Sequence, residues 1–343
     1  MTELEGTIEI KLMEADEQEE FMDFLRGNLD TFDKFERVWK WRQDNKPISG
    51  GESAAIAKYN GKVVGCVGIV PAHISGFGDT VRACWQQDSL VAGTMRGRGV
   101  GKRLVEKAAE GWDLLLAKGT SLPMYGLRKS LGFLDARNSN YMVRVSRPRK
   151  FGFSAKRLVE YLLWIWRMIV VGPRIDDRIS VCRVEEFDRS FDALAEGLKQ
   201  KNVLKLHKDL RYLNWRYVSC PGKEYGIFKA GGDDARGAVV VATSRSDPEE
   251  GWIVDLICNR SDKQCGLSLI REGLQCLQVQ GVSRIWAFST LSSTRKWFMR
   301  FGFVPTKFTP RFTYRTVNKE IAEKIRVAEW DFWHGDGDLE LYM

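Results

Sequence analysis

A glycine-rich, basic stretch lies between a predicted strand and a predicted helix. It runs from Asp88 to Lys102 and contains Arg96, Gly97, Arg98, Gly99, Val100, Gly101 and Lys102. The first amides of a helix lack partners and carry the positive end of the helix dipole, so an anion can bind there. Glycines let the backbone approach a pyrophosphate closely, and the basic side chains add charge. The stretch therefore predicts a diphosphate-binding loop.

Two common phosphate-binding motifs do not fit this loop. The pattern GxxxxGK[ST] is absent, and the residue three after Gly101 is Leu104, where GxGxxG requires glycine. Nucleotide hydrolysis and dinucleotide redox chemistry are disfavoured. The loop instead resembles motif A of the GCN5-related N-acetyltransferase (GNAT) superfamily, R/Q-x-x-G-x-G/A, with Arg96, Gly99 and Gly101 at the motif positions and the turn 131–133 (Leu-Gly-Phe) further along.

The resemblance implies an acyl-CoA-dependent acyltransferase with acetyl-CoA as co-substrate and no metal. It implies that the amides around Leu90 and Val91 hold the pantetheine arm and polarise the thioester carbonyl. The amides from Arg98 to Lys102 would hold the coenzyme A pyrophosphate. The acyl group would pass directly to an amine or hydroxyl, which requires a deprotonated acceptor, a stabilised oxyanion and a protonated leaving thiolate.

The predicted catalytic residues are Asp88 and Tyr125. Asp88 ends a strand facing the expected thioester, where it acts as or relays to the general base; a cap or a structural hydrogen bond is the alternative. The family's usual acid, a tyrosine four residues before the glycine of the Leu-Gly-Phe turn, is replaced by Arg128. Tyr125, Ser130 or a water would then protonate the thiolate, or the thiolate leaves unprotonated with help from Arg128.

Three landmarks recur in order along the chain. Trp41-Arg42 is repeated at Trp215-Arg216, Asp88 at Asp255, and the 131–133 turn at 301–303 (Phe-Gly-Phe). Recurrence at nearly constant spacing indicates duplication. We therefore expect an N-terminal acyl-CoA-binding domain over 1–147, an amphipathic connector over 148–178 and a second GNAT-like domain over 179–343.

Each copy is expected to be an α/β unit (α+β in some schemes), with a mixed, mostly antiparallel sheet flanked by helices. In the first copy, hydrophobic patterning predicts strands at 7–13, 53–59, 62–74 and 80–91. The segments 16–29, 32–43 and 100–118 read as helices, and a strand at 141–145 closes the copy. Asn60-Gly61 predicts a hairpin turn.

The second copy reads as a degenerate domain. It has one glycine, Gly266, where the first copy has three, and an acidic residue, Asp262, where phosphate would approach. We expect it to have lost coenzyme binding. Tryptophans at the two repeated landmarks suit helix packing better than an acceptor pocket. Asp336 and Asp338 are interpreted as solvent-exposed or bound to a neighbouring strand end, not as metal ligands.

Composition restricts the remaining functions. The net charge of +8 suits an anionic ligand, and seven scattered cysteines without CxxC indicate reduced thiols. The acidic N-terminus does not resemble a signal peptide, so a cytoplasmic location is expected. The segment 158–172 is too short to span a bilayer; it is interpreted as a connector packed between domains, with a position flat on an acidic membrane as the alternative.

The predicted function is transfer of an acetyl group to a small-molecule amine or sugar, with no nucleic-acid partner. Similarity to tandem family members adds an association with cell-envelope or polysaccharide metabolism, through the elements 39–42 (Trp-Lys-Trp-Arg) and 335–338 (Gly-Asp-Gly-Asp). Two alternatives stay open. One is tRNA-dependent aminoacyl transfer of the peptidoglycan-bridge type, which the intact glycine loop disfavours, and the other is a non-catalytic acyl-CoA-binding scaffold.

Overall fold

The structure is a computed structural model that describes residues 7–44, 47–48, 54–136, 139–148, 155–170, 172–200 and 202–337. The chain forms two compact units, each built from separated segments. The first contains residues 1–74, 80–136 and 311–327, and the second contains 75–79, 137–310 and 328–343. The contiguous boundaries at 147 and 179 stay a prediction about duplication, since neither compact unit is one continuous segment.

Among its described residues, the first unit contains seven strands and five α-helices. Its strands are β1 (Ile8–Leu12), β2 (Ala54–Tyr59), β3 (Lys62–Gly76), β4 (Asp79–Val91), β5 (Leu114–Lys118), β6 (Leu134–Asp135) and β15 (Phe312–Arg315). Its helices are α1 (Gln18–Arg26), α2 (Phe32–Asp44), α3 (Val100–Lys107), α4 (Leu122–Ser130) and α10 (Lys319–Val327). The strand order is β1-β2-β3-β4-β5-β15-β6, in which β4 and β5 are parallel.

The second unit has the same arrangement. Its strands are β7 (Met142–Val145), β8 (Val181–Val184), β9 (Val203–Leu206), β10 (Gly226–Ala230), β11 (Gly237–Thr243), β12 (Glu250–Cys258), β13 (Arg284–Ala287), β14 (Val304–Pro305) and β16 (Glu329–Asp331). Its helices are α5 (Ala155–Ile169), α6 (Ser190–Gly197), α7 (Leu210–Leu213), α8 (Lys263–Val279) and α9 (Ser292–Arg300). The main sheet is β8-β10-β11-β12-β13-β7-β14, in which the parallel pair, β12 and β13, takes the fourth and fifth positions, as β4 and β5 do in the first sheet.

Short 3-10 and π-helical turns lie next to some of these elements. Ala15–Glu17 and Gly93–Met95 are single 3-10 turns, and Asn214–Val218 is one turn of π-helix that continues α7. Among the residues described, no helix has the length and apolarity needed to cross a membrane.

Strand alternation supplies the core of the first unit. Ala54 and Ile56 face the cluster of α1 and α2, where Trp39 packs on Phe35 with 5.6 Å between ring centroids. Ala55 and Ala57 face the other cluster, which contains the buried side chains of α3. Successive strand residues point to opposite faces, so one sheet separates two apolar layers. Trp39 is therefore a packing residue, as interpreted from the sequence.

Two sequence expectations in the first copy are wrong. The helix expected over 100–118 ends at Lys107, and Leu114–Lys118 is the buried strand β5. A short, continuously apolar run has no periodicity that separates a buried strand from a helix. The strand near 141–145 exists as β7, but it pairs with β13 and β14 in the second unit.

The strand β15 takes the corresponding place in the first unit. It lies between β5 and β6, with Phe312 opposite Lys118 and Thr313 opposite Asp135. Each sheet is therefore completed by a strand from a distant part of the sequence. Because main-chain groups of β5 that lose this partner would be left at a sheet edge, neither unit should fold from a contiguous piece of chain.

This exchange predicts that a chain ending at residue 147 aggregates or stays unfolded. Its β5 would lack β15, and the apolar run Leu114–Ala117 would border an open edge. Expression followed by size-exclusion chromatography and circular dichroism measures the outcome. Residues 311–327 fused through a Gly/Ser linker should restore a soluble, folded first unit. A monomeric 1–147 fragment with a cooperative thermal transition would show that β15 is dispensable.

Candidate coenzyme-binding site

The helix α3 begins in a way that leaves its amides available. Gly99 is the N-cap residue, its φ is 75°, and within the part of the chain that the structure describes the helix start has no side-chain cap. Gly97 has a φ of 77°. Such left-handed conformations are costly for residues with a Cβ atom, which explains glycine at these positions. The positive end of α3 is thus open to an anionic ligand.

A cavity of about 680 Å³ adjoins this helix terminus. Its volume lies within the range of about 300–1,000 Å³ that is usual for small-molecule sites. The cavity is lined by Cys66, Val67, Ser89, Leu90, Val91, Met95, Arg96, Gly97, Gly99, Val100, Gly101, Lys102, Leu104, Ser121, Pro123, Met124 and Leu127. Eight of the nine residues that we predicted to bind the coenzyme are in this set; the exception is Arg98, which is exposed on the same loop.

The cavity lies where β4 extends beyond its ladder with β5. The parallel pairing joins Ala83–Trp85 to Leu114–Leu116, while β4 continues to Val91. The last residues of β4 line one side of the cavity, and α4, which follows β5, supplies Pro123 and Met124 on another. The site is therefore held by a strand end, by a helix start and by α4.

Asp88 interrupts the regular course of β4. Its φ is +49°, an uncommon conformation for a residue other than glycine, and its Oδ2 lies 2.8 Å from Nη1 of Arg42. Asp88 immediately precedes the cavity-lining Ser89. The ion pair links Asp88 to α2 and fixes the direction of its carboxylate. Its predicted catalytic role stays a prediction.

Tyr125 and Arg128 have different surroundings on α4. The Tyr125 hydroxyl donates to Oδ1 of Asp135 at 2.9 Å, and this bond raises the pKa of Tyr125. Arg128 is buried and donates from Nη2 to the carbonyl of Gln86 at 2.9 Å. Arg128 therefore ties α4 to β4. Tyr125 adjoins the cavity-lining Met124, which places it near the cavity without lining it.

Several lining residues are not among those predicted from the sequence. Ser89 Oγ is buried and has no hydrogen-bond partner among the described residues, so a bound ligand would satisfy it. Ser121, Pro123, Met124 and Leu127 belong to α4 or its N-cap, a helix that the sequence analysis did not predict. Proline within the first turn after serine is a helix-start signal that would have indicated it.

The equivalent helix start in the second unit is closed. Asp262 caps α8 by accepting a hydrogen bond from the amide of Cys265 at 3.1 Å. A Cβ added to Gly266 would lie only 2.3 Å from the ring of Trp297, so the indole packs directly on this turn. A carboxylate already occupies the position that an anion would take. This geometry supports the expected loss of coenzyme binding.

The C-terminal segment occupies the strand end beside β12. The amide of Gly335 donates to the carbonyl of Val254 at 3.0 Å, just past the last residue pair between β12 and β13, Ile253 and Ala287. Arg216 Nη2 donates to the Gly335 carbonyl at 3.1 Å. In the second unit, therefore, the chain itself fills the place that borders the cavity in the first.

Asp336 is buried beside the end of β12, so of the two interpretations solvent exposure is wrong and binding at a neighbouring strand end agrees with the structure. Asp338 lies outside the described residues. Lys208 Nζ lies 2.6 Å from Asp255 Oδ2 and 2.8 Å from Asp336 Oδ1. The Tyr217 hydroxyl also donates to Asp255 at 2.6 Å. Burial opposes the charge on Lys208, but the two carboxylates outweigh it and raise the pKa of Lys208. The cluster anchors the C-terminal segment.

Comparison with known proteins agrees with this geometry. A family model described as "Acetyltransferase (GNAT) family" matches residues 13–115. A GCN5-related N-acetyltransferase from Anabaena variabilis is similar in structure, with a TM-score of 0.61 and 11% identity over 91% of this chain and 73% of that one. No curated protein matches the chain in sequence.

Two further structures have the same fold. Eis1 from Mycobacterium abscessus has a TM-score of 0.57 and 13% identity, covering 93% of this chain and 76% of its own. A tandem GNAT protein from the clavulanic acid biosynthesis pathway has a TM-score of 0.57 and 12% identity, covering 91% of this chain and 99% of that one. At these identities the similarity concerns the fold. The mixed α/β architecture in two units is thus confirmed.

The buried cluster predicts a severe effect of Lys208→Met. Removing the ammonium group leaves Asp255 and Asp336 close together without a cation, which should destabilise the fold by about 3–5 kcal/mol. The apparent urea midpoint, followed by circular dichroism, measures the change. Lys199→Met is the matched control, since Lys199 pairs with the exposed Glu196 and should contribute under about 1 kcal/mol. Equal midpoints for the two variants would refute the anchoring role.

Proposed function

We propose, from the premise that this chain belongs to the GNAT acetyltransferase family, that its first unit transfers an acetyl group from acetyl-CoA to an amine or hydroxyl. The observation that carries this proposal is the uncapped start of α3 beside a cavity of about 680 Å³. A helix terminus of this kind suits the pyrophosphate, and the cavity between β4 and α4 has room for the pantetheine arm.

The main chain of the loop would provide most of the binding energy. The amides from Arg98 to Lys102 would bind the pyrophosphate, with the ammonium of Lys102 and the guanidinium of Arg96 adding charge from the cavity lining. The amides of Leu90 and Val91, at the end of β4, would hold the pantetheine arm and polarise the thioester carbonyl. Bound acetyl-CoA supplies the activated acyl group.

Asp88 is proposed as the general base or as a relay to it. The carboxylate is directed by Arg42 and lies one residue before the cavity-lining Ser89. A base must reach the proton that it removes, directly or through one water. The positive φ of Asp88 turns its side chain away from the regular strand pattern, so this conformation would aim the base.

Tyr125 is proposed as the acid that protonates the leaving thiolate. Its hydrogen bond to Asp135 raises the pKa of Tyr125, which keeps the hydroxyl protonated throughout the neutral range. An acid must hold its proton until the leaving group develops charge. To act, the hydroxyl must release Asp135 and reach the thiolate in the cavity, which the neighbouring Met124 lines.

The acceptor is proposed to be a small amine or sugar. The fold similarity to a tandem GNAT protein from the clavulanic acid biosynthesis pathway does not specify the acceptor. We assign acetyl transfer to the first unit alone, because Asp262 and Trp297 close the corresponding helix start in the second. An association with cell-envelope or polysaccharide metabolism stays part of the proposal.

Titration of acetyl-CoA tests the coenzyme site. The wild-type chain should bind one equivalent. Lys102→Glu should raise the dissociation constant roughly 10–100-fold, because a cation at the helix start becomes an anion. Isothermal titration calorimetry measures both. Lys34→Glu is the matched control: it makes the same charge change at an exposed position of α2 and should bind like wild type. Two equivalents bound, or no binding, would contradict the proposal.

Substitution of Tyr125 tests the proton donor. Tyr125→Phe should lower kcat by about 10²-fold with little change in KM for acetyl-CoA, because only the proton transfer is lost. Thiol release with an amine acceptor measures the rate. Asp135→Asn is the control, since it keeps the hydroxyl while weakening its partner, and should retain most of the activity. A Tyr125→Phe rate within twofold of wild type would assign protonation to water or to another group.

A further inference from the structure

The helix α5 exposes an entirely apolar side. The α5 face consists of Leu158, Val159, Tyr161, Leu162, Ile165, Trp166, Met168 and Ile169, whose side chains are 36–68% exposed. At about 100° per residue these positions form one continuous half of the helix circumference. Every exposed residue between 158 and 170 belongs to this set, so the outward side carries no charge.

Two charged residues of α5, Glu160 and Arg167, contact other parts of the same unit. Glu160 accepts a hydrogen bond from Arg284 Nη1 at 3.1 Å, and the main chain and stem of Arg167 lie against Gly302. An ordinary surface helix has the opposite arrangement, with the apolar side inward and the charges outward. Because exposed apolar patches of this kind mark interaction sites, the inverted helix needs an external partner.

Charge indicates which partner this is. Residues 147–157, which lead into the exposed part of α5, include Arg147, Arg149, Lys150, Lys156 and Arg157 and no acidic residue. Clusters of about 4–8 basic residues beside an amphipathic helix are typical of binding to anionic lipid, where each contributes to attraction at the surface.

The aromatic residues fit the same partner. On the helical wheel Tyr161 and Trp166 lie towards opposite margins of the α5 face, with the aliphatic side chains between them. Tyrosine and tryptophan favour the headgroup region of a bilayer, where the ring is apolar and its polar group is hydrated. This distribution suits a helix lying in the membrane plane.

A second copy of the chain is the other partner to consider. The eight side chains of the α5 face are 36–68% exposed, so the face is large enough for a dimer interface and area alone does not separate a second copy from a membrane. Crossing the bilayer is excluded for α5 itself, because a spanning helix needs about 20 residues.

We propose that the α5 face docks the protein on an anionic phospholipid bilayer, with the helix parallel to the membrane surface and its exposed side chains inserted among the acyl chains. The inference is independent of acyl transfer, since it rests on residues of the second unit alone. Binding should weaken as salt concentration rises, because the basic segment 147–157 contributes by charge.

Vesicle sedimentation tests this proposal with the full chain. Wild-type protein should bind phosphatidylcholine vesicles that contain about one third phosphatidylglycerol, and bind pure phosphatidylcholine vesicles at least tenfold more weakly. The double variant Leu162→Glu, Ile165→Glu should bind the anionic vesicles roughly 100-fold more weakly. Val317→Glu, Val327→Glu is the matched control, because it adds the same charges at exposed valines of the first unit and should bind nearly like wild type.

Three results would overturn the proposal. Equal binding by wild type and the α5 variant would place the contact elsewhere, and equal binding to both vesicle types would exclude recognition of anionic lipid. Absence of vesicle binding, combined with a wild-type dimer that the α5 variant abolishes in light scattering, would make the face an interface between copies. Unchanged circular dichroism and an unchanged acetyl-CoA titration show that the variant is folded and separate this outcome from failure of the coenzyme proposal.

Discussion

The candidate site depends on β4 continuing past the end of its ladder with β5. Three residue pairs join β4 to β5. Beyond these pairs β4 continues to Val91, and this part of the strand borders the cavity. The extension contains Asp88, whose positive φ is maintained by the ion pair with Arg42. A strained residue persists only where its surroundings hold it, so the Trp-Arg element of α2 contributes to the shape of the site although Arg42 does not line the cavity.

The two units share one arrangement of strands and helices but differ at the start of one helix. Both place a helix after the strand that begins the parallel pair, and the difference is in a few side chains at the helix start. Gly99 leaves the amides of α3 uncapped, whereas Asp262 caps α8 and Trp297 covers Gly266. In the second unit, the chain's own C-terminal segment lies at the strand end, and the ion pair between Lys208 and Asp336 stabilises it there.

Local chemistry was predictable from sequence, and long-range pairing was not. Glycines 97, 99 and 101 between a strand and a helix indicated the loop because the helix terminus and the basic charges act over a few residues. The strand β5 was mistaken for helix because its apolar run lacks alternation. The burial of Asp336 depends on Lys208, which is distant in sequence, so two acidic residues among glycines appeared solvent-exposed. β7 belongs to the second unit because it pairs with β13, which likewise lies far along the chain.

The completion of the first sheet by β15 has a consequence during synthesis. The ribosome makes β5 and β6 early, but 175 residues separate Ala136 from Phe312, the first residue of β15. At about 5–20 residues per second, this delay is roughly 10–35 s, during which the apolar edge of β5 has no partner strand. The nascent first unit therefore requires protection by chaperones or by transient pairing of this edge. Slow translation of the second half of the chain would lengthen the time during which the edge can aggregate.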